Sequence, residues 1–202
     1  MKNILIIGGT KGIGKSIVDN LVDSNNIVCL SRNKPDFQHQ NFTHKEFDAL
    51  SDEYPEMANL DYLIYCPGSI NLKPISTLSL EDFRNDFEIN VIGAVKAIKK
   101  YLPLLKRSLS ASILLFSTVA TKLGMPYHAS VSVAKSGIDG LVKTLGSELA
   151  PKVRINAIAP TITNTDLASK ILRNEKIIEN MIERHPLKKF FHLMKLQKWL
   201  LF

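Results

Sequence analysis

Ile4-Leu5-Ile6-Ile7-Gly8-Gly9-Thr10-Lys11-Gly12-Ile13-Gly14-Lys15 is the stretch whose reading decides the fold. A short run of β-branched residues and leucine enters a glycine-rich turn, and the apolar residues that follow, Ile13, Ile17, Val18 and Leu21, recur at helical spacing. The order is strand, tight turn, helix start. Glycine at Gly8, Gly12 and Gly14 lets the backbone take positive φ and lets a ligand and the next helix approach with no Cβ between them. The free N–H groups and the positive end of the helix dipole then face outward, which suits a pyrophosphate. A glycine turn used for geometry alone looks the same, and only the motifs further along the chain separate the two.

The chain of 202 residues is long enough for one good core, and residues 1–202 are expected to form a single domain. Apolar content of 45% and charged content of 22% are those of an ordinary globular protein. No apolar run approaches the ~18 residues that span a bilayer, so no membrane partner is expected. One lysine precedes the first strand and no small-residue cleavage site follows, which argues against a secretory signal. Cys29 and Cys66 lack metal spacing and sit at the ends of apolar runs, so they read as buried thiols of a reducing cytoplasm, with no metal site. The formal charge of +7 raises the question of nucleic acid. The cations are scattered over helix faces, however: Lys99, Lys100, Lys106 and Arg107 on one helix, Lys188, Lys189, Lys195 and Lys198 in the tail. No aromatic residues interleave them on a strand platform, so no nucleic-acid partner is expected, and part of the charge can meet an anionic cofactor.

A second buried strand is expected at Ile27–Leu30, ending at Ser31-Arg32. In a Rossmann-type unit this strand end meets the adenosine ribose, where an acidic residue would hold the 2′-hydroxyl. Arg32 stands there instead, with Lys11 in the glycine turn. Two cations and no acid favour a 2′-phosphate, hence NADP(H) over NAD(H); as solvated loop cations they would mean nothing. Residues 33–58 are polar and broken by Pro35 and Pro55, so no full helix is expected before a third strand at Thr43–Phe47. Asp48 ends it, as an acceptor for the adenine amino group or as a plain turn residue.

Leu60–Tyr65 reads as a fourth strand opening into Cys66-Pro67-Gly68-Ser69. Leu78–Lys106 contains a long amphipathic helix whose expected buried stripe is Leu80, Phe83, Phe87, Val91, Val95 and Ile98. Asn90 interrupts that face, so it either bonds the backbone or orders water in a site. A fifth strand at Ser112–Phe116 ends in Ser117-Thr118, and a loop, Ala120–Pro126, leads to a helix over His128–Ala150. A sixth strand, Arg154–Ile158, ends in Ala159-Pro160-Thr161; a helix is expected from Thr165, broken at His185-Pro186.

In this order the motifs resemble the short-chain dehydrogenase/reductase family over nearly the whole chain. The matching segments are Gly8-x-x-x-Gly12-Ile13-Gly14, Asp48, Pro67-Gly68 where the family has Ala-Gly, Asn90-Val91, Ser117-Thr118, Ala134-Lys135-Ser136-Gly137 and Arg154-Ile155-Asn156-Ala157-Ile158-Ala159-Pro160. The resemblance implies an α/β fold, a Rossmann-type doubly wound parallel sheet in three α/β/α layers. It also implies hydride transfer between a nicotinamide cofactor and a carbonyl or alcohol of a small molecule, and a homo-oligomer, dimer or tetramer. The expected cofactor-binding set is Gly8, Thr10, Lys11, Gly12, Ile13 and Gly14, then Ser31, Arg32, Asp48, Ala49, Cys66, Pro67, Gly68, Asn90, Lys135, Pro160, Thr163 and Thr165. In the family an Asn, a Ser, a Tyr and a Lys carry the chemistry, the last two spaced Y-x-x-x-K. By register these are Asn90, Thr118 with its hydroxyl kept, Val131 and Lys135.

Val131 is the telling departure, because valine has no proton to give. His128, Val131, Ser132 and Lys135 share one helical face, so His128 is the candidate replacement acid, directly or through a water held by Thr118; otherwise it caps the helix. The sixth-strand loop reads Pro160-Thr161-Ile162-Thr163-Asn164-Thr165 where the family commonly has a glycine after the proline. The tail after about residue 187 is basic and apolar, where the family continues to a seventh strand. Read in a shifted frame, bases encoding Leu193–Gln197 can give Asp-Glu-Ile-Ala, a sequence the family often has there. Three functions follow: an NADP(H)-dependent oxidoreductase, a catalytically silent NADP(H)-binding sensor or scaffold, or a truncated inactive gene product.

Overall fold

A computed structural model of the chain describes residues 1–161 together with Thr163 and Glu183. The expected helix from Thr165, its break at His185-Pro186, the tail after residue 187 and Thr165 itself lie outside the described residues.

The first apolar run forms β1 (Asn3–Ile7) and the helical spacing after the glycine turn forms α1 (Gly12–Leu21). Alternate residues of β1 serve opposite faces: Leu5 and Ile7 join one core cluster, Ile4 and Ile6 the other. A strand buried on both sides carries a continuous apolar run rather than an alternating one. Ile17 and Val18 of α1 close over Ile4 and Ile6, each fully buried, and such side chains contribute about 1.5–3 kcal/mol apiece.

Beyond α1 the chain forms β2 (Asn26–Ser31), β3 (Phe42–Glu46), β4 (Tyr62–Tyr65), β5 (Ser112–Phe116) and β6 (Arg154–Ile158). All pairings are parallel, in the order β3-β2-β1-β4-β5-β6. This is the doubly wound Rossmann-type sheet, and its order reverses beside β1, where such folds bind ligands at the carboxyl ends of the strands. No helix joins β2 to β3, as expected from the prolines and polar residues there. Strand β4 begins at Tyr62 rather than Leu60. Asp61 is occupied at that edge, with its Oδ2 accepting from Asn3 N at 2.9 Å.

The long helix differs from its expected form. It consists of α2 (Leu80–Phe87), a π-helical turn over Glu88–Ile92, and α3 (Gly93–Leu105). The expected stripe fails at its start, since Leu80 is 74% and Phe87 41% exposed. Val91 and Ile98 of that stripe are buried as expected, but a second phase, Asp86, Asn90, Ala94, Ala97 and Tyr101, is buried beside them. Gly93, Ala94 and Ala97 let the helix approach the sheet closely: a Cβ on Gly93 would collide with the Tyr65 hydroxyl. The widened turn carries Asn90 inward as part of that phase, and such turns mark functional sites more often than chance.

The Ala120–Pro126 connection, expected as a loop, holds a short helix, α4 (Ala120–Leu123), ahead of α5 (Ala129–Leu149). Helices α3 and α5 cover one face of the sheet through Ile98, Tyr101, Leu105, Ala134 and Ile138, against Leu63, Ile113, Leu115 and Ile155. Helix α1 covers part of the other. Among the described residues no helix is long and apolar enough to cross a membrane.

Candidate cofactor-binding site

The glycine turn is built as a cradle. Gly8 and Gly12 have φ of 78° and 53°, in the left-handed region that only glycine enters without strain. A Cβ on Gly14 would collide with Gly8 O and stand 2.9 Å from Gly8 C, so helix α1 can start this close to β1 only with glycine there. No side chain caps the start of α1, and no acid lies in its first turn. Its N–H groups and dipole therefore present a site for an anion.

At the end of β2 a polar cluster ties three elements together. Thr10 Oγ1 donates to the buried Ser31 Oγ at 3.1 Å, and Ser31 Oγ donates to Asn33 O at 3.0 Å. His44 on β3 places Nε2 3.0 Å from Ser31 Oγ and 3.3 Å from Ser31 O. A carbonyl only accepts, so Nε2 carries a hydrogen. Arg32 and Lys11 are both exposed at this rim. His44 is a member of this cluster that the sequence does not single out, because only the pairing of β3 with β2 brings it to Ser31. Asp48 lies just beyond β3, where its Oδ1 accepts from Leu50 N at 2.9 Å; the carboxylate shapes a turn and places the buried Ala49.

The turn after β4 touches the glycine turn directly: a Cβ on Gly8 would lie 3.3 Å from Pro67 Cδ. Gly68 faces two polar groups in turn. A Cβ there would stand 2.9 Å from Asn90 Oδ1 and 3.4 Å from Lys135 Nζ. Asn90 Nδ2 donates to Asp86 O at 2.7 Å and to Ser69 Oγ at 3.1 Å, which aims Oδ1 the other way. That Oδ1 is buried and has no partner among the described residues. Buried acceptors are normally satisfied, so an unpaired one beside an ammonium and a glycine marks a place for a ligand or water.

Lys135 is 8% exposed and donates from Nζ to Phe116 O at 2.8 Å. Burial pulls its ammonium down to about 8, against opposing influences from Cys66 and Asp86. Cys66 is a free, partly buried thiol that burial pushes well up. Thr118 Oγ1 accepts from Ala120 N at 3.3 Å, which leaves its hydroxyl proton to donate. The neighbouring Ser117 is buried, with its Oγ turned to Lys135 O at 3.5 Å. Pro160 O accepts from Val119 N at 3.4 Å, and Thr163 is buried with its hydroxyl on Thr161 O.

Two positions on α5 stand apart. Val131 is 4% exposed and brings no polar atom. His128 sits at the N-cap with Nδ1 2.7 Å from Pro126 O, so Nδ1 carries its hydrogen and the ring serves a local turn. The ring lines a cavity of about 510 Å³ with Lys73, Tyr127 and Ser132, which Asn90, Thr118 and Lys135 do not line.

Residues 34–202 match the family described as "Enoyl-(Acyl carrier protein) reductase". The chain belongs to the short-chain dehydrogenase/reductase family. Members are oxidoreductases that bind nicotinamide cofactors. The 3-oxoacyl-[acyl-carrier-protein] reductase FabG of Staphylococcus epidermidis is 24% identical over 210 residues, covering 94% of this chain and 85% of that protein. A tropinone reductase homolog of Arabidopsis thaliana is 29% identical over 212 residues, covering 94% and 79%. Among solved structures, the ligand-free aldohexose dehydrogenase of Thermoplasma acidophilum superposes with a TM-score of 0.89 at 23% identity, over 100% of this chain and 86% of that one. ElxO with NADP bound gives a TM-score of 0.87 at 25% identity, over 99% of this chain and 90% of that one.

Proposed function

We propose that the chain binds NADP(H) along the crevice from its glycine turn to Lys135, and that it acts as an oxidoreductase on a carbonyl or alcohol of a small molecule. One observation carries the reading: the unpaired Asn90 Oδ1 and the Lys135 ammonium converge beside Gly68, in a turn that abuts the phosphate cradle. The cradle and the orphaned acceptor fit the two ends of a dinucleotide.

In this reading Gly8, Thr10, Lys11, Gly12, Ile13 and Gly14 hold the diphosphate end, with Thr165 expected to join them. Ser31, Arg32 and Lys11 take the adenosine ribose and its 2′-phosphate, and Asp48 and Ala49 flank the adenine. Cys66, Pro67, Gly68, Asn90 and Lys135 surround the nicotinamide ribose; Pro160 and Thr163 lie toward the carboxamide. When bound, the nicotinamide supplies or takes up a hydride. Lys135 holds the ribose by its charge, Asn90 orders water, and the Thr118 hydroxyl polarises the substrate oxygen by a hydrogen bond, the transferred proton coming from another group. The preference for NADP(H) rests on the exposed Lys11 and Arg32 with no acid in the first turn of α1; ElxO, which has been solved with NADP bound, is the similar case. The free thiols Cys29 and Cys66 accord with a cytoplasmic location.

A second reading, an NADP(H)-binding sensor or scaffold without turnover, is favoured by Val131 and by the separate cavity of His128. Titration with NADPH and NADH, followed by an NADPH-oxidation assay over a carbonyl panel, tests both. Oxidation that His128→Gln abolishes assigns the proton to His128. Binding without oxidation supports the sensor.

A further inference from the structure

Asp86 is fully buried, on the inner side of α2, and was not among the residues the sequence singled out. Its Oδ1 takes hydrogen bonds from Ser69 Oγ and, at 3.0 Å, from Asn71 Nδ2. Its Oδ2 is buried with no partner among the described residues. A carboxyl group placed this deep with half its acceptors unused is costly to the fold, and such a cost is kept where the group acts on a neighbour.

Two paths run from Asp86 to the site. The first is mechanical. Asp86 O accepts from Asn90 Nδ2 at 2.7 Å, and the Asp86 carboxyl holds Ser69, whose Oγ accepts from the same Nδ2 at 3.1 Å. Both partners act as acceptors toward the amide, so the nitrogen end of Asn90 is fixed toward them and Oδ1 toward Gly68. The second path is electrostatic. The groups facing Lys135 are Cys66 from the turn after β4, Asp86 from α2, Asn90 from the π-helical turn and Phe116 O from β5. Asn90 and the carbonyl carry no net charge.

We propose that Asp86 is a positioning residue: its carboxylate locks the Asn90 amide through Ser69 and is the counter-charge of the buried Lys135 ammonium. Cys66 and Asp86 both oppose the effect of burial on Lys135. Of the two, Asp86 is the one that hydrogen bonds also tie to Ser69 and Asn90. What the site holds rests on the NADP(H) reading above; the charge relation belongs to the protein with or without a ligand.

The test is an NMR titration of lysine ¹³Cε-labelled protein without cofactor, the Lys135 signal being assigned from its loss in Lys135→Arg. Asp86→Asn is expected to lower the Lys135 midpoint by about one pH unit and to weaken NADPH binding about tenfold at pH 7.5. Ser69→Ala is expected to leave the midpoint in place and to weaken NADPH severalfold. An unchanged midpoint in Asp86→Asn overturns the proposal. Should that variant not fold, Asp86→Ser carries the same test with the same two outcomes. Failure of the wild-type chain to bind NADPH would defeat the cofactor reading separately, because the midpoint is read without it.

Discussion

Asn90 Oδ1 and Lys135 Nζ close on one point beside Gly68, 2.9 and 3.4 Å from where a Cβ would stand. The first distance is one that real Cβ atoms do not show, so the amide must move if a methyl is added. Gly68→Ala is therefore expected to weaken NADPH binding at least tenfold, about 1.4 kcal/mol, with little loss of thermal stability. Fluorescence titration of bound NADPH measures the first and calorimetry the second. Unaltered affinity would remove Asn90 and Lys135 from the binding site.

Gly14→Ala should behave differently, because its methyl meets the Gly8 backbone and not the end of a side chain. Backbone cannot yield as an amide can. A loss of about 1–3 kcal/mol in urea unfolding is expected, together with loss of NADPH binding.

The buried Lys135 gives a pH signature whose sign is fixed. Its ammonium is held at about 8 in the fold, below the ordinary 10.5. Below pH 8 both folded and unfolded chains carry the proton, and the fold bears the full cost, roughly 3 kcal/mol. Between the two values the unfolded chain binds more protons, so this contribution to stability rises with pH. Lys135→Met should thus be more stable than the wild type at pH 7, by a margin that shrinks as pH climbs from 8 to 10.5. Affinity for NADPH should fall through pH 8 in the wild type and stay weak and flat in Lys135→Met. Unfolding curves and titrations across that range check both.

Much of this was legible in the sequence, for physical reasons that particular residues make plain. The run Ile4–Ile7 into glycine has few other solutions than a buried parallel strand and a tight turn. Phe87 misled the helix reading because apolar periodicity assumes one unbroken phase, whereas the helix needs Gly93, Ala94 and Ala97 against the sheet and turns Phe87 41% into solvent. Asp86 escaped notice for the same reason: an acidic residue in an amphipathic helix reads as surface until the fold shows it sealed under Ser69 and Asn71. His44 was hidden in a polar segment, and only the pairing of β3 with β2 sets it against Ser31.

Phe87 and Val133 expose 41% and 57% of their surfaces on α2 and α5, two helices that pack together. Exposed apolar groups on two helices that pack together suit a second copy of the chain. Light scattering is expected to show a dimer or tetramer, and Phe87→Glu with Val133→Glu a smaller species. A monomeric wild type would remove this face as an interface.

Restoring the phenol asks whether the remaining site is competent. Val131→Tyr is expected to raise NADPH oxidation with a suitable carbonyl by about a hundredfold, the lower end of what a placed general acid contributes. No gain in a folded, NADPH-binding variant would favour the sensor reading.

The account stands or falls on dinucleotide binding, and the most direct measurement is a parallel titration of the wild-type chain with NADPH and NADH. It predicts saturable binding of NADPH, at least tenfold tighter than NADH, a margin lost in the Lys11→Ala, Arg32→Ala double variant. Saturation by neither dinucleotide, in a chain shown to be folded, would contradict it.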